Sequence, residues 1–159
     1  MRIGIGHDTH RLEPGGPLTL GGIQIEHDHH LDGHSDADVL LHAVTDAILG
    51  AAGLGDIGEM FPNDEAENKD RDSKEMLQLA AQRISGIGYQ LINLDCIVFA
   101  ERPKLSIYKS RISESIATAL NLNPSCVNVK AKTGEQLGQI GTGQCMMAQC
   151  VALICKMDG

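Results

Sequence analysis

Arg2-Ile3-Gly4-Ile5-Gly6-His7-Asp8-Thr9-His10 is an alternating run, and the two-residue period of a β-strand puts Asp8 and His10 on one face with His7 on the other. Two short apolar runs follow, Leu18 to Leu20 and Ile23 to Ile25, and they flank Gly21-Gly22 as the arms of a hairpin would. The N-terminal quarter is therefore predicted to be β. From Asp36 to Ala52 the period becomes helical, with Val39, Ala43, Val44, Ala47, Ile48 and Ala51 on one face. Ser35 with Asp38 three residues on has the form of a capping box, which predicts a helix start at Ser35. Gly53 and Gly55 end that helix.

Glu59 to Asp72 is polar, acidic and aperiodic, the composition of a mobile loop that could serve as a lid. Ser73 is then predicted to cap a second helix carrying Met76, Leu77, Ala80, Ala81 and Ile84, closed by Gly86 and Gly88. A strand from Leu91 to Ala100 stops before Pro103, and a third helix runs roughly from Ser106 to Leu120. Asn123-Pro124 leads to a strand over Val127 to Ala131, and Gln144 to Lys156 forms the last strand. Strands alternating with helices that can cover only one face predict an α/β (α+β) two-layer sandwich with a mixed sheet, and 159 residues suit a single domain over 1–159.

Thirteen basic against 21 acidic residues give a net charge of −8, which opposes a phosphate backbone. Two Tyr, two Phe and no Trp leave few platforms for stacking bases, so nucleic acid is not an expected partner. No apolar run approaches transmembrane length and no basic-then-apolar leader precedes the first strand; the expectation is a cytoplasmic protein without a membrane partner. Cys96, Cys126, Cys145, Cys150 and Cys155 lack Cys-x-x-Cys spacing and read as reduced core residues. A phosphorylated ligand on so acidic a chain needs metal ions or backbone N–H groups to meet its charge.

Asp8 and His10, joined by His42 from the helix, would make a carboxylate and two imidazoles with a fourth tetrahedral position free, the pattern of a catalytic zinc site. Asp38, His42 and Asp46 are four apart, so either carboxylate could orient the His42 ring. His27, Asp28, His29, His30 and His34 crowd one polar stretch, readable as a histidine-rich metal tract or as an exposed loop. His34 directly precedes the expected cap, where free N–H groups could meet a phosphate oxygen. Ala131-Lys132-Thr133-Gly134-Glu135 and Ala100-Glu101-Arg102-Pro103-Lys104 are turns that could bind phosphate or simply close strands. A metallophosphoesterase and a non-catalytic zinc module are the competing function classes.

Together and in order, Met1-Arg2-Ile3-Gly4 with Asp8-x-His10, His34-Ser35-Asp36-x-Asp38-x-x-x-His42, Thr45-Asp46-Ala47, Gly55-Asp56-Ile57-Gly58, Phe61-Pro62 and Val129-Lys130-Ala131-x-Thr133-x-Glu135-x-Leu137-Gly138 resemble the methylerythritol cyclodiphosphate synthase family across the whole chain. The resemblance implies a homotrimer with sheets facing the axis and active sites between subunits. It implies closure of a cyclic diphosphate with release of CMP, with Asp8, His10 and His42 on Zn2+ and Glu135 on Mg2+ or Mn2+. His34 and Thr133 would stabilise the transition state.

By the same resemblance, Thr9, Ser35, Asp56, Ile57 and Gly58 would contact substrate, and Phe61, Pro62, Asn63, Asp64 and Glu65 would close over its methylerythritol unit. The stretch Ala100, Glu101, Arg102, Pro103, Lys104, Leu105 and Ser106 would cradle cytosine, and Ala131, Lys132, Thr133, Gly134 and Glu135 would hold the diphosphate. Asn63 and Asp64 stand where the family commonly begins with an acidic residue. Gln139, Thr142 and Gln144 replace an aromatic, an Arg and a Glu that several members turn toward the trimer axis. Weak or absent binding of an isoprenoid diphosphate there is the expectation.

Overall fold

The computed structural model describes residues 1–62, 64–68 and 71–157. Strand β1 (Arg2–Pro14) is longer than its alternating core, because it serves two partners in turn. The hairpin strands β2 (Leu18–Leu20) and β3 (Ile23–Ile25) pair antiparallel around Gly21-Gly22, as expected. Strand β4 (His29–Leu31) follows, in a stretch whose polarity hid it. Helix α1 (Val39–Ala52), a single turn α2 (Ile57–Met60) and helix α3 (Ser73–Gly86) come next. Then come β5 (Tyr89–Phe99), α4 (Lys109–Ala119), β6 (Val127–Lys132), the turn α5 (Gly138–Gly141) and β7 (Cys145–Lys156).

The main sheet has the order β4-β1-β7-β5-β6. Only β5 and β6 run parallel; the β1/β7, β5/β7 and β1/β4 pairs are antiparallel, giving the expected mixed sheet. Helices α1, α3 and α4 pack on it, and alternate residues of the strands, among them Leu94, Cys96, Val98, Ala148, Cys150 and Ala152, are buried beneath them. Ile3, Ile5 and Val151, of which Ile5 and Val151 are register partners, remain exposed. The cysteines are free, and Cys96, Cys145 and Cys150 are buried as expected of small apolar residues.

What seats α1 so close to β1 is the lack of side chains at Gly4 and Gly6. A Cβ on Gly4 would lie 2.1 Å from the Ala47 carbonyl oxygen, and one on Gly6 would lie 1.9 Å from that of Ala43. Alanines at 43, 47 and 51 complete the close approach. Strand and helix run in opposite senses, so moving along β1 from Gly4 to Asp8 moves along α1 from Ala51 toward His42.

The helix does not start at Ser35. Ala37 takes a positive φ of 56°, which interrupts any helical run before it, and Asp38 is the N-cap. Its buried carboxylate accepts from Leu40 N and Leu41 N, and it also accepts from Gly21 N and Gly22 N, tying the β2–β3 turn to the helix. Four N–H groups outbid the single reciprocal contact of a capping box. At the other end Gly53 has φ 75° and closes α1 in the left-handed conformation that glycine tolerates, as the sequence suggested. Asp72, one residue before the expected Ser73, caps α3.

The expected structureless segment from Glu59 to Asp72 is tied down over its described part. Residues Ala66–Asn68 form a 3-10 turn, buried Asn68 donates to the Pro62 carbonyl at 2.9 Å, and Arg71 donates to Asn68 Oδ1 at 2.8 Å.

Candidate active site

Three ligating atoms converge where the C-terminal half of β1 meets the first turn of α1. Asp8 Oδ2 lies 2.9 Å from His10 Nε2 and 2.9 Å from His42 Nδ1, and the two ring nitrogens are 3.1 Å apart. Asp8 and His10 reach this point because they share a strand face, while His7 turns away and meets Thr9 Oγ1 on the opposite side at 3.3 Å. The side chains of His10 and His42 keep 15% and 12% of their exposure, so the cluster is largely screened from solvent.

The other nitrogen of each ring is already engaged. His10 Nδ1 donates to the Asp32 carbonyl at 2.6 Å, leaving Nε2 aimed at Asp8. His42 Nε2 faces Ser35 Oγ at 3.0 Å and Ser73 Oγ at 2.9 Å, leaving Nδ1 aimed at the same carboxylate. Ser73 Oγ in turn donates to Asp36. The carboxylates expected to orient His42 are occupied elsewhere: Asp38 caps α1, and Asp46 accepts from Ile57 N at 2.8 Å and holds the start of α2. A serine relay to Asp36 takes their place.

The electrostatics follow from this crowding. Burial alone would push the Asp8 carboxyl up, but hydrogen bonds from His10 and His42 and their positive potential outweigh it and hold it well below the usual carboxylate range. Burial likewise opposes charge on His10, yet the Asp8 carboxylate and the Asp32 carbonyl raise its proton affinity above the ordinary value. Asp46 is shifted upward, chiefly by burial.

These residues fit a divalent metal. A tetrahedral zinc with bonds of about 2.0–2.2 Å needs donors roughly 3.3–3.6 Å apart, so the triangle has only to open by a few tenths of an ångström. With the outward nitrogen of each ring committed to a hydrogen bond, the inward one is the nitrogen that would give up its proton and ligate a metal. A cavity of about 270 Å³ opens over the cluster and is walled by His34, Ser35, Ile57, Gly58 and Phe61. His34 therefore lies at the cluster but not at a helix N-terminus, since α1 begins at Val39. Asp56 is the N-cap of α2, accepting from Glu59 N at 2.9 Å. Pro62, Asp64 and Glu65 follow Phe61, and Asn63 lies outside the described residues.

The remaining expected residues gather elsewhere on the chain. Parallel strands β5 and β6 end side by side, with Phe99 opposite Lys132, and Ala100 N donates to the Lys132 carbonyl at 2.9 Å. Their two turns thereby adjoin: Gly134 N donates to Glu101 Oε2 at 3.1 Å, and Thr133 Oγ1 donates to Glu135 Oε1 at 2.8 Å. Leu105 is buried under this turn while Arg102, Lys104 and Ser106 are exposed. One chain thus carries two separate groups, the Asp8/His10/His42 cavity and the Glu101/Thr133/Glu135 turns. A further cavity of about 600 Å³ is bordered by Gln139 and Gln144, and also by Arg11, a cation the sequence reading did not place there.

A mixed sheet backed by helices, with an Asp/His/His cluster screened at the strand–helix junction beneath an open cavity, defines an α/β protein with a potential metal centre in its cleft. The chain belongs to the YgbB family, whose model matches residues 1–155. It is 48% identical over 157 residues to the 2-C-methyl-D-erythritol 2,4-cyclodiphosphate synthase of Neisseria gonorrhoeae, covering 99% of this chain and 98% of that one. A solved 2C-methyl-D-erythritol-2,4-cyclodiphosphate synthase in a CDP-bound form superposes with a TM-score of 0.90 at 34% identity, covering 97% of this chain and 100% of the other. The bifunctional IspDF of Campylobacter jejuni matches with a TM-score of 0.95 at 43% identity over 99% of this chain, which spans 42% of that longer protein.

Proposed function

We propose that this chain, acting as a single domain, is a 2-C-methyl-D-erythritol 2,4-cyclodiphosphate synthase, a phosphorus–oxygen lyase of non-mevalonate isoprenoid biosynthesis. It converts 4-diphosphocytidyl-2-C-methyl-D-erythritol 2-phosphate into the cyclic diphosphate and CMP. The observation that carries the reading is the convergence of Asp8, His10 and His42 on one point beneath a cavity, in a chain whose relatives bear that name over nearly their whole length.

An oxygen of the substrate's own 2-phosphate attacks the β-phosphorus, a new P–O bond forms, and the bond to the bridging oxygen breaks so that CMP leaves with it. The attacking oxygen is anionic at neutral pH, so no residue need act as a base, and the residues' work is alignment and charge stabilisation. Asp8, His10 and His42 would hold Zn2+ and Glu135 would hold Mg2+ or Mn2+; when bound, such ions neutralise charge on the diphosphate and on departing CMP. His34 and Thr133 donate hydrogen bonds to the shifting charge. Asp56, Ile57 and Gly58 orient the sugar portion, with Ser35 in the wall of the same cleft; the Thr9 side chain turns to the other strand face beside His7, away from it. Residues 61–65 limit access of water, and the turn from Ala100 to Ser106 takes cytosine through backbone groups.

The two groups of residues lie apart within one chain, which supports a site completed by a second copy in a homotrimer. The exposed stripe of Ile3, Ile5 and Val151 supports sheet faces covered by neighbouring copies. No helix among the described residues is long and apolar enough to cross a membrane. The direct test is to incubate the purified protein with the cytidylated substrate, Zn2+ and Mg2+ and to identify products by phosphorus NMR. Equimolar CMP and cyclic diphosphate are expected; unchanged substrate, or CMP with a linear product, would refute the reading.

A further inference from the structure

A second convergence of metal-ligating atoms lies beside the C-terminal end of β1, where the chain leads into edge strand β4. We propose that His27, Asp28 and His29 form a binding site for a zinc-class divalent ion, distinct from Asp8/His10/His42. His27 Nδ1 and His29 Nδ1 approach the same carboxylate oxygen, Asp28 Oδ1, at 3.3 and 2.9 Å, and one ligand atom from each residue falls within 4.8 Å of the others. The imidazole centroids are 5.7 Å apart with planes inclined by 39°, so the rings do not stack on each other.

The backbone beneath is held in place. Gly15 N donates to the Asp28 carbonyl at 2.8 Å, His29 opposes Pro14 in the β1/β4 register, and His30 Nδ1 is bound to the Gly15 carbonyl at 2.9 Å. A Cβ on Gly16 would lie 2.0 Å from the His27 carbonyl oxygen, so the absence of a side chain there lets the tract press against the end of β1. His30 is thereby held away from the cluster, while the chain bends at Asp28 just before β4 and the rings of His27 and His29 both turn to the Asp28 carboxylate.

The cluster borders a cavity of about 540 Å³ whose far wall includes Glu101 and Arg102. The His27 side chain keeps 13% of its exposure whereas Asp28 keeps 82%, which leaves a screened ligand on the inside and an open coordination position toward solvent. Two imidazoles and one carboxylate are borderline donors that select Zn2+ over Mg2+ or Ca2+, both of which prefer all-oxygen sets. Arg102 is the opposing cation on this wall, and Glu101 beside it offsets its charge. An exposed His–Asp contact contributes little by itself; convergence of both rings on one oxygen is what a three-ligand site requires.

The test is a zinc titration of chelator-stripped protein, counting bound metal by mass spectrometry after equilibrium dialysis. Wild type should take up two zinc ions per chain, saturably, and His27→Ala/His29→Ala should take up one while retaining cyclising activity and its unfolding midpoint. Asp28→Asn and His29→Gln, which keep the shape of the tract, should each weaken the second ion and stand in if the double variant misfolds. In His42→Ala the remaining zinc should show two imidazoles and oxygen by X-ray absorption. A single zinc that disappears with His42→Ala, or uptake beyond one ion that never saturates, would overturn the proposal. A single zinc lost only with His27→Ala/His29→Ala would uphold it and count instead against the Asp8/His10/His42 assignment.

Discussion

Ser73 Oγ lies 2.9 Å from His42 Nε2 although 31 residues separate them in the chain. The hydroxyl donates its own hydrogen bond to Asp36, is left to accept from His42 Nε2, and so fixes which imidazole nitrogen faces Asp8. Removing such an orienting partner typically lowers metal affinity by about 10–100-fold. Ser73→Ala is expected to weaken zinc by about tenfold or more and to lower kcat, with α3 intact because Asp72 supplies its cap. Ser73→Thr should restore both. Zinc competition assays decide it: unchanged affinity in Ser73→Ala would reduce the serine to a packing role.

Asp38→Ala strips the acceptor from Gly21 N, Gly22 N, Leu40 N and Leu41 N at a fully buried point. A loss of about 3 kcal/mol or more is expected from stranded donors and the missing cap. Asp38→Asn retains one acceptor oxygen and should lose less. Urea unfolding at neutral pH measures both, and equal losses would show that a single hydrogen bond dominates.

Three glycines near β1 and α1 make contrasting predictions. Gly6→Ala forces a Cβ into the Ala43 carbonyl at 1.9 Å, where only backbone can yield, so destabilisation beyond about 3 kcal/mol is expected. Gly4→Ala meets Ala47 in the same way. Gly50→Ala has only the Ile5 carbonyl oxygen at 3.9 Å and should stabilise α1 by about 0.8 kcal/mol. Thermal unfolding of the three variants would contradict this account if their order were reversed.

Mixing inactive His42→Ala chains with inactive Glu135→Ala chains should restore part of the activity, because some interfaces would then join two intact halves. Absence of recovery after confirmed subunit exchange would argue that each chain completes its own site.

Asp95 accepts hydrogen bonds from Lys130 Nζ and Asn128 Nδ2, and the Lys130 contact is the main reason its carboxyl titrates below the ordinary value of 3.8. A depressed carboxylate contributes stability above its unfolded value, and that contribution is lost as pH falls through the folded one. Both side chains are more than a third exposed, so the contribution at pH 7 is at most about 0.5–1 kcal/mol. The stability gap between wild type and Asp95→Asn should therefore close below pH 3.8. A gap that widened in acid would reverse the assignment.

The alternation from Arg2 to His10 revealed both the strand and the pairing of Asp8 with His10, since period-two geometry depends on little beyond the local backbone. Helical periodicity likewise brought out α1 and His42. Local reading failed where long-range partners decided: Asp38 displaced Ser35 as the cap because its second pair of donors, Gly21 and Gly22, lies 17 and 16 residues away. Ser73 and the Asp32 carbonyl became partners of the histidines only through tertiary packing, with no spacing in the chain to announce them. Strand β4 was hidden because an edge strand need not alternate in polarity, and the short turns α2 and α5 span too few residues for any period to register.

Gly4, Gly6, Asp8 and His10 occupy successive same-face positions on β1, so the strand's contact with α1 and its two ligands are a single register. A slip by one residue would turn both ligands outward and drive Ile3, Ile5 and His7 into a helix that has no room for them. A chain caught in that misregistration could neither dock α1 nor hold metal, which makes metal uptake during refolding a reporter of correct strand alignment. Anyone grafting this centre onto another scaffold would have to transfer the two bare positions along with the ligands, and could shift the set along the strand only in steps of two.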